Sequence, residues 1–309
     1  MDPATSALLR SWDWRADVTI ILLLLGTVYL LGWGRLRYAA YQRSSRQLPG
    51  PNRRHLAAGW RLAVYLIGLL AIAVALMSPI DVLSSQLFFI HMIQHLLLQM
   101  IVAPLLLLAN PFPFLLWGLP EKARNRVMRL FKPKASFRRG LRQFTAPGVT
   151  WLLYVGGLLA WHDPNAYNAA LRSQWVHDME HLTFFLGAML FWWHVIGAGP
   201  HLHGRFNRGA RIAFLLVTVP VNMFVGVFIA FSSQPIYTYY TTVPRLGGLT
   251  VLEDQMLAGV IMWIPGSMMY LMAALVLIVG WVQAEAGKKP LPEATWATQE
   301  AMIAPGLER

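Results

Sequence analysis

Two pairs of histidines are the residues whose type and spacing could do chemistry. His91 and His95 are four residues apart, as are His177 and His181, and Glu180 lies beside the second pair. Because residues four apart lie on one face of an α-helix, each pair would present two imidazoles in the same direction. Neutral imidazole is a ligand for copper, zinc, iron and haem iron. Two such pairs on separate helices predict a metal-binding centre of imidazoles.

Three further residues could complete this centre. Asp254 could bind a metal directly or accept a hydrogen bond from a ligating imidazole, and Met92 and Met256 offer thioether sulfur. Thioether ligands favour Cu(I) over zinc, and the chain has no cysteine to supply a thiolate. We therefore predict copper as the bound metal. The candidate ligands are His91, His95, His177, His181, Asp254, Met92, Met256 and Glu180.

These residues belong to a strongly apolar chain. Of its 309 residues, 56% are hydrophobic and 13% are charged, about half the charged share of a typical soluble domain. Apolar runs long enough to span a bilayer as helices recur along the sequence. They predict an all-α, polytopic membrane protein, a bundle of seven transmembrane helices near 18–33, 60–77, 87–109, 145–161, 176–197, 210–231 and 255–281. We assign residues 1–283 to the transmembrane domain and 284–309 to a mobile cytoplasmic tail.

Basic residues are concentrated in alternate connections between the predicted spans. Lysine and arginine are frequent after the first, third and fifth spans and in the tail, and sparse in the other connections. The positive-inside rule then places the N-terminus outside and the C-terminus in the cytoplasm. With this orientation, both histidine pairs lie at similar depth near the outer side of the membrane. The basic stretch 121–144 also carries apolar residues and predicts one or two amphipathic helices at the inner surface.

The net charge of +12 is explained by this topology and by contact with anionic lipid. The predicted partner of the surface is therefore the lipid bilayer, and binding of nucleic acid is not expected. The other histidines divide by position. His162 follows the fourth span and could reach the centre, although residues 161–164 also form an ordinary turn. His194, His201 and His203, near the inner end of the fifth span, are interpreted as interfacial.

Two other classes of protein fit part of the pattern. Residues 177–181 match the His-x-x-Glu-His motif of inverted zinc metallopeptidases, in which the glutamate acts as general base. That motif leaves His91 and His95 without a role. A haem-binding redox protein would need one axial histidine from each of two helices, so the second histidine of each pair would be superfluous.

Several segments resemble one known family. Residues 91–98 (HMIQHLLL), followed by APLLLL at 103–108 and NP at 110–111, resemble the multi-spanning CtaG family of bacterial cytochrome c oxidase assembly factors. The segments WHDP at 161–164, HDMEH at 177–181, FWW at 191–193 and DQMLAGVIMW at 254–263 belong to the same pattern. The resemblance covers most of the chain between about residues 60 and 281, in the same order.

This resemblance implies a multi-pass protein of the bacterial inner (plasma) membrane that helps to mature haem–copper oxidase through copper. The residues that match the family's motif positions are His91, His95, His177, His181 and Asp254, with Met92 and Met256 as companions. The expected mechanism is transfer of copper by ligand exchange, so we do not expect an enzyme. The expected partners are haem–copper oxidase subunits or proteins that donate or accept copper, and a homo-oligomer is compatible with the sequence.

Overall fold

The computed structural model describes residues 11–45, 57–204 and 206–287, and the secondary structure of these residues is helical. Five helices are long and apolar enough to cross a membrane, and a bent pair of helices adds a sixth candidate span. The described part of the chain is thus an all-helical, multi-pass membrane protein. In chain order the helices are α1 (Ala16–Ser45), α2 (Gly59–Met77), α3 (Pro79–Ser84), α4 (Phe88–Leu108), α5 (Pro111–Gly118), α6 (Glu121–Leu130), α7 (Ser136–Phe144), α8 (Pro147–Trp161), α9 (Pro164–Arg172), α10 (Gln174–Ile196), α11 (Arg208–Ala230) and α12 (Val251–Ala286).

The predicted spans correspond to these helices to different degrees. The first, second, third, sixth and seventh spans fall on α1, α2, α4, α11 and α12, which are the five candidate membrane helices. The fourth falls on α8, which forms the bent pair with α7 at an angle of 54°. The fifth falls on α10, which has 23 residues, or about 34 Å of helix. The polar residues in its first turns distinguish α10 from the five candidate membrane helices. The count of seven and the orientation stay predictions.

The last helix runs further than the sequence suggested. Because α12 continues to Ala286, the first residues of the predicted tail are helical. Most of that tail lies outside the residues that the structure describes.

The basic stretch 121–144 forms two short helices, α6 and α7, in agreement with the predicted amphipathic pattern. Neither helix has a buried residue. Arg138 on α7 donates from Nη1 to the carbonyl oxygen of Phe131 at 2.9 Å, which joins the two helices. Apolar side chains such as Met128 and Phe137 are exposed beside the arginines. This combination suits the headgroup region of a bilayer.

Helices α11 and α12 pack closely where glycines face each other. A β-carbon at Gly226 or Gly259 would overlap the backbone of the other helix, and small residues of this kind let membrane helices approach. The first turn of α12 is fixed by a capping box, in which Thr250 Oγ1 accepts from Glu253 N and Glu253 Oε2 accepts from Thr250 N. Asp254, in the same turn, accepts hydrogen bonds from the first backbone N–H groups of α4 and holds the two helix starts together.

Aromatic side chains fill the space between α4, α9, α10 and the connection that precedes α12. The buried cluster there includes Phe88, Tyr167, Phe184, Tyr237 and Tyr240. This cluster surrounds the predicted histidines and excludes solvent from most of their surface.

Candidate metal centre

The two histidine pairs meet where α4 and α10 pack together. Ring centroids are 4.3 Å apart for His91 and His95, and 4.1 Å apart for His177 and His181. Between the helices, the centroids of His91 and His177 are 5.2 Å apart and those of His95 and His181 are 5.1 Å apart. All four residues are buried. The structure therefore brings together the imidazoles that the sequence placed on two separate helices.

Glu180 lies within the same cluster and is fully buried. Its Oε2 atom is 3.7 Å from His91 Nε2, and its Oε1 atom is 3.6 Å from His95 Nε2. Both distances are longer than a hydrogen bond, and neither oxygen has another hydrogen-bond partner. Because an unpaired buried carboxylate is costly, this group requires either a proton or a cation beside it. We call the four histidines and Glu180 the histidine centre.

The Nε2 atoms of all four histidines are also buried without a hydrogen-bond partner. Most buried polar atoms in proteins have one, so this concentration of unpaired nitrogen and oxygen atoms indicates a place for a ligand. Donor atoms of His91, His177 and His181 lie within 4.8 Å of one another, as do those of His91, His95 and Glu180. Metal–nitrogen bonds are about 2 Å long, which separates ligands of one ion by up to about 4 Å. Small side-chain rotations would therefore bring either group onto one ion.

Tyrosines orient His91. Tyr240 Oη donates to the carbonyl oxygen of Ser84 at 3.0 Å and lies 3.5 Å from His91 Nδ1. Because the single hydroxyl proton of Tyr240 goes to Ser84, the Nδ1–H of His91 is the donor in this contact. The Nε2 atom that faces Glu180 is then the unprotonated nitrogen, as a metal ligand must be. Tyr167 Oη lies 3.3 Å from Tyr240 Oη and extends the network.

No pattern in the sequence points to Tyr167 or Tyr240 as part of the site. Neither lies on a helix that carries a histidine pair, because Tyr167 is on α9 and Tyr240 is in the short 3₁₀ turn Thr238–Thr241. No spacing signal in the sequence connects them to His91, and only the folding of the loops brings them there.

Asp254 makes its contacts away from the imidazoles. Its carboxylate accepts hydrogen bonds from the backbone N–H groups of Phe88 at 3.0 Å and Phe89 at 2.9 Å, and from Arg245 Nη2 at 3.0 Å. A carboxylate at a helix N-terminus satisfies free N–H groups and interacts favourably with the helix dipole. Asp254 thus fixes the first turn of α4, three residues before His91. The structure gives it the role of an anchor and shows no contact with the histidines.

The two methionines lie in different surroundings. Met256 is 47% exposed on the outside of α12, away from the histidine centre. Met92 is buried within the aromatic cluster and lines a small cavity beside His95. Of the candidate ligands, the structure therefore assembles the four histidines and Glu180, leaves Met92 next to them, and places Asp254 and Met256 elsewhere.

An ion pair and a groove lie beside the start of α10. Arg15 donates from Nη1 and Nη2 to the two carboxylate oxygens of Asp178 at 2.6 and 2.8 Å, which joins the residue preceding α1 to α10. A groove of about 510 Å³ runs between α1, α2 and α10, with mainly apolar walls. His181 lines this groove together with Asp178. The groove thus reaches the edge of the histidine centre at His181.

Three other histidines occupy two different places. His162, at the end of α8, lines the same small cavity as His95, so it lies beside the histidine centre. His194 and His203 lie together towards the opposite end of α10, where both are hydrogen-bonded to Thr145.

Fold and site together define a helical membrane protein with a buried cluster of imidazoles and one carboxylate. A family model described as cytochrome c oxidase caa3 assembly factor (Caa3_CtaG) matches residues 27–284 of the chain. The chain belongs to this family, which confirms the resemblance found in the sequence. It is thus a member of a family of bacterial oxidase assembly factors.

Curated relatives of the chain are longer proteins from mycobacteria. Uncharacterized protein Mb0105 of Mycobacterium bovis is 25% identical over 226 residues, which cover 72% of this chain and 34% of the relative. Uncharacterized protein ML1998 of Mycobacterium leprae is 24% identical over 278 residues, 87% of this chain and 40% of the relative. The chain therefore spans about a third to two fifths of the length of these relatives. No solved structure is significantly similar to it.

Proposed function

We propose that this protein serves cytochrome c oxidase assembly by binding copper at the histidine centre and passing it on by ligand exchange. Membership of the assembly-factor family supports the role in oxidase assembly. The copper assignment depends on one observation, the convergence of four imidazole Nε2 atoms and both Glu180 oxygens without hydrogen-bond partners. Nitrogen and oxygen ligands suit Cu(II), which such sites bind more tightly than other divalent first-row metals.

The arrangement of the ligands supports exchange of the ion. Two overlapping groups of donor atoms share His91, one completed by His177 and His181 and the other by His95 and Glu180. An ion can therefore replace its ligands one at a time and need not lose them all together. Since His181 also lines the groove beside α1, an incoming ligand has a route to the centre.

The predicted orientation forms part of this proposal. It places the histidine centre near the outer side of the bacterial inner membrane, where copper would arrive from outside the cytoplasm. The partners would then be haem–copper oxidase subunits or proteins that donate or accept copper on that side.

The packing around the histidine centre gives less support to a haem-binding redox protein or a zinc metallopeptidase. The ring of His91 lies 5.1 Å from Tyr167, and that of His95 lies 4.8 Å from Phe184, so side chains occupy the space that a haem macrocycle would need. A metallopeptidase needs an open, hydrated cleft beside its catalytic glutamate. Glu180 instead faces His91 and His95 in a buried position.

Metal analysis of the purified protein tests the proposal. We would load the detergent-solubilised full chain with Cu(II), remove unbound metal and measure copper per chain, together with the electron paramagnetic resonance spectrum. The expected result is retained copper with hyperfine structure from several nitrogen atoms. His177→Ala should lose this signal, whereas His201→Ala, at an exposed position, should retain it. A haem Soret band, or zinc retained in preference to copper, would contradict the proposal.

A second experiment tests the link to the oxidase. Cells that lack this protein would be complemented with wild type, His177→Ala or His201→Ala, and the copper content and activity of their cytochrome c oxidase would be measured. We expect wild type and His201→Ala to restore the oxidase and His177→Ala to leave it deficient in copper. Full restoration of the oxidase by His177→Ala would show that the assembly role does not require the histidine centre.

A further inference from the structure

A small cavity lies next to the histidine centre, between α4, α8, α11 and α12. Its volume is about 20 Å³, enough for one water molecule or one metal ion. Three methionines and two histidines line it, together with leucine, tyrosine and amide side chains. We call this space the methionine cavity, and its potential ligands are Met92, Met262, His95 and His162.

One imidazole at this cavity is held in the tautomer that a metal ligand needs. His162 Nδ1 lies 2.8 Å from the carbonyl oxygen of Leu158, so the Nδ1–H donates and Nε2 carries the free lone pair. That Nε2 atom is buried and has no hydrogen-bond partner. Tyr237 Oη donates to the backbone oxygen of His162 at 3.1 Å and secures its position. A carbonyl on Nδ1 and an unpaired Nε2 are the usual arrangement of a ligating histidine.

The second imidazole, that of His95, lies between the histidine centre and the methionine cavity. His95 Nε2 is the atom next to Glu180, whereas His95 Nδ1 is buried and also lacks a hydrogen-bond partner. A neutral imidazole has one unprotonated nitrogen, so His95 can serve the histidine centre through Nε2 or the methionine cavity through Nδ1, one at a time. His95 lines the methionine cavity, and its unpaired Nδ1 makes it a candidate ligand there.

The methionines come from two helices and are fully enclosed. Met92 and Met100 are on α4, Met262 is on α12, and each is at most 4% exposed. Met100 is eight residues beyond Met92 on the same helix, a rise of about 12 Å, and it packs in a different buried cluster from Met92 and Met262. The thioethers of Met92 and Met262 are therefore the candidate ligands. No carboxylate lines this cavity, in contrast to the histidine centre. Thioether and imidazole ligands without a negative charge favour soft, monovalent Cu(I).

We infer that the methionine cavity is a second metal site, selective for Cu(I), with His162, His95 and the buried methionine thioethers as its ligands. The identity of the metal depends on the proposed function, but the site itself depends on the unpaired nitrogens and the methionines. The protein would then hold a nitrogen-and-oxygen site and a soft site side by side, with His95 as a ligand of one or the other, depending on which of its nitrogens carries the proton.

Silver(I) is a suitable probe, because it is a soft monovalent ion that requires no reduction. We would titrate the purified full chain with Ag(I), and with Cu(I) in anaerobic competition with a chromophoric chelator. Met262→Leu removes the sulfur at nearly constant volume, and Met256→Leu is the matched control at an exposed position of the same helix. We expect Ag(I) affinity to fall at least about tenfold in Met262→Leu and to stay unchanged in Met256→Leu.

Cu(II) binding distinguishes this inference from the proposed function. Met92→Leu and Met262→Leu should retain Cu(II), and His177→Ala should lose Cu(II) while it retains Ag(I). Unchanged Ag(I) affinity in the Met92→Leu/Met262→Leu double variant would overturn the soft site and leave the histidine centre standing. Loss of both ions in His177→Ala would show a single site and also overturn the inference. Ag(I) binding by a wild type that binds no Cu(II) would support the soft site and contradict the proposed function.

Discussion

Histidine rings cluster near both ends of α10, and the two clusters differ in the atoms that their nitrogens contact. The rings of His194 and His203 are 5.3 Å apart, close to the spacing between α4 and α10 in the histidine centre. His194 Nε2 donates to the carbonyl oxygen of Thr145 at 2.9 Å. His203 Nε2 lies 3.0 Å from Thr145 Oγ1, whose own proton goes to the carbonyl oxygen of Leu141. The Nε2 atoms of His194 and His203 therefore both act as donors.

The comparison shows that proximity of imidazoles does not by itself indicate a metal site. A ring nitrogen that donates a hydrogen bond carries a proton and cannot bind a metal at that atom. The second cluster ties the loop of His203 and the start of α8 to α10, which is a structural role. In the histidine centre, the Nε2 atoms of all four rings have no such partner. What distinguishes the histidine centre is that four unpaired Nε2 atoms and both unpaired Glu180 oxygens are buried together.

The largest effect is expected from removing two imidazoles of the histidine centre. The double variant His91→Ala/His181→Ala should lower Cu(II) affinity by more than about 100-fold, because loss of ligands exceeds the effect of losing their supporting groups. Equilibrium dialysis measures this change. In the second cluster, His194→Ala should keep its copper and lose about 1–2 kcal/mol of stability, since the Thr145 carbonyl loses its partner. Loss of copper from a folded His194→Ala protein would contradict the structural role given to the second cluster.

Asp254→Asn should separate positioning from metal binding. The amide cannot replace a carboxylate that accepts from two backbone N–H groups and Arg245, so the free energy of unfolding should fall by about 3 kcal/mol. Copper per chain at saturation should stay the same, because Asp254 does not contact the histidines. Thermal unfolding in detergent and metal analysis measure the two effects. If copper is lost without any change in stability, Asp254 is a ligand after all.

Glu180→Gln should have an intermediate effect on copper. The substitution preserves shape but removes the negative charge next to His91 and His95, and the affinity for Cu(II) should fall by about 10–100-fold. Asp178→Asn is the matched control, because Asp178 is also on α10 and is paired with Arg15. Competition with a calibrated chelator measures both affinities. If Asp178→Asn lost as much Cu(II) affinity as Glu180→Gln or more, the charge that controls copper binding would lie outside the histidine centre.

The smallest effect is expected at Asp81, a buried carboxyl group that accepts a hydrogen bond from Gln94, the residue before His95 on α4. Burial raises the pKa of Asp81 from 3.8 to about 6, although its Oδ1 atom accepts from Gln94 Nε2 at 2.7 Å. Ionisation therefore costs stability in the folded protein, and the cost grows as the pH rises from about 4 to about 6 and then levels off. Asp81→Asn should stabilise the metal-free protein by about 1–2 kcal/mol at pH 8 and by less at pH 5. Unfolding midpoints at the two pH values test this, and a pH-independent difference would contradict it.

Part of the site could be predicted from sequence because helical periodicity is local. The spacing of His91 and His95, and of His177 and His181, fixes which residues share a helix face whatever the rest of the chain does. It does not fix how each helix is rotated against its neighbours. That rotation exposes Met256 and buries Met262 six residues later on the same helix. It also directs Asp254 to the start of α4.

The sequence by itself determined the apolar helices, the family and the pairing of histidines within each helix, since these depend on residue type and on separations of a few positions. Only the tertiary structure decided which nitrogen atoms are left without partners. Tyr240 reaches His91 from 149 residues away, and Leu158 holds the proton of His162 on the nitrogen that faces away from the cavity. Hydrogen bonds of this kind form between atoms that only the packed fold brings together, and they determine which imidazoles can bind a metal.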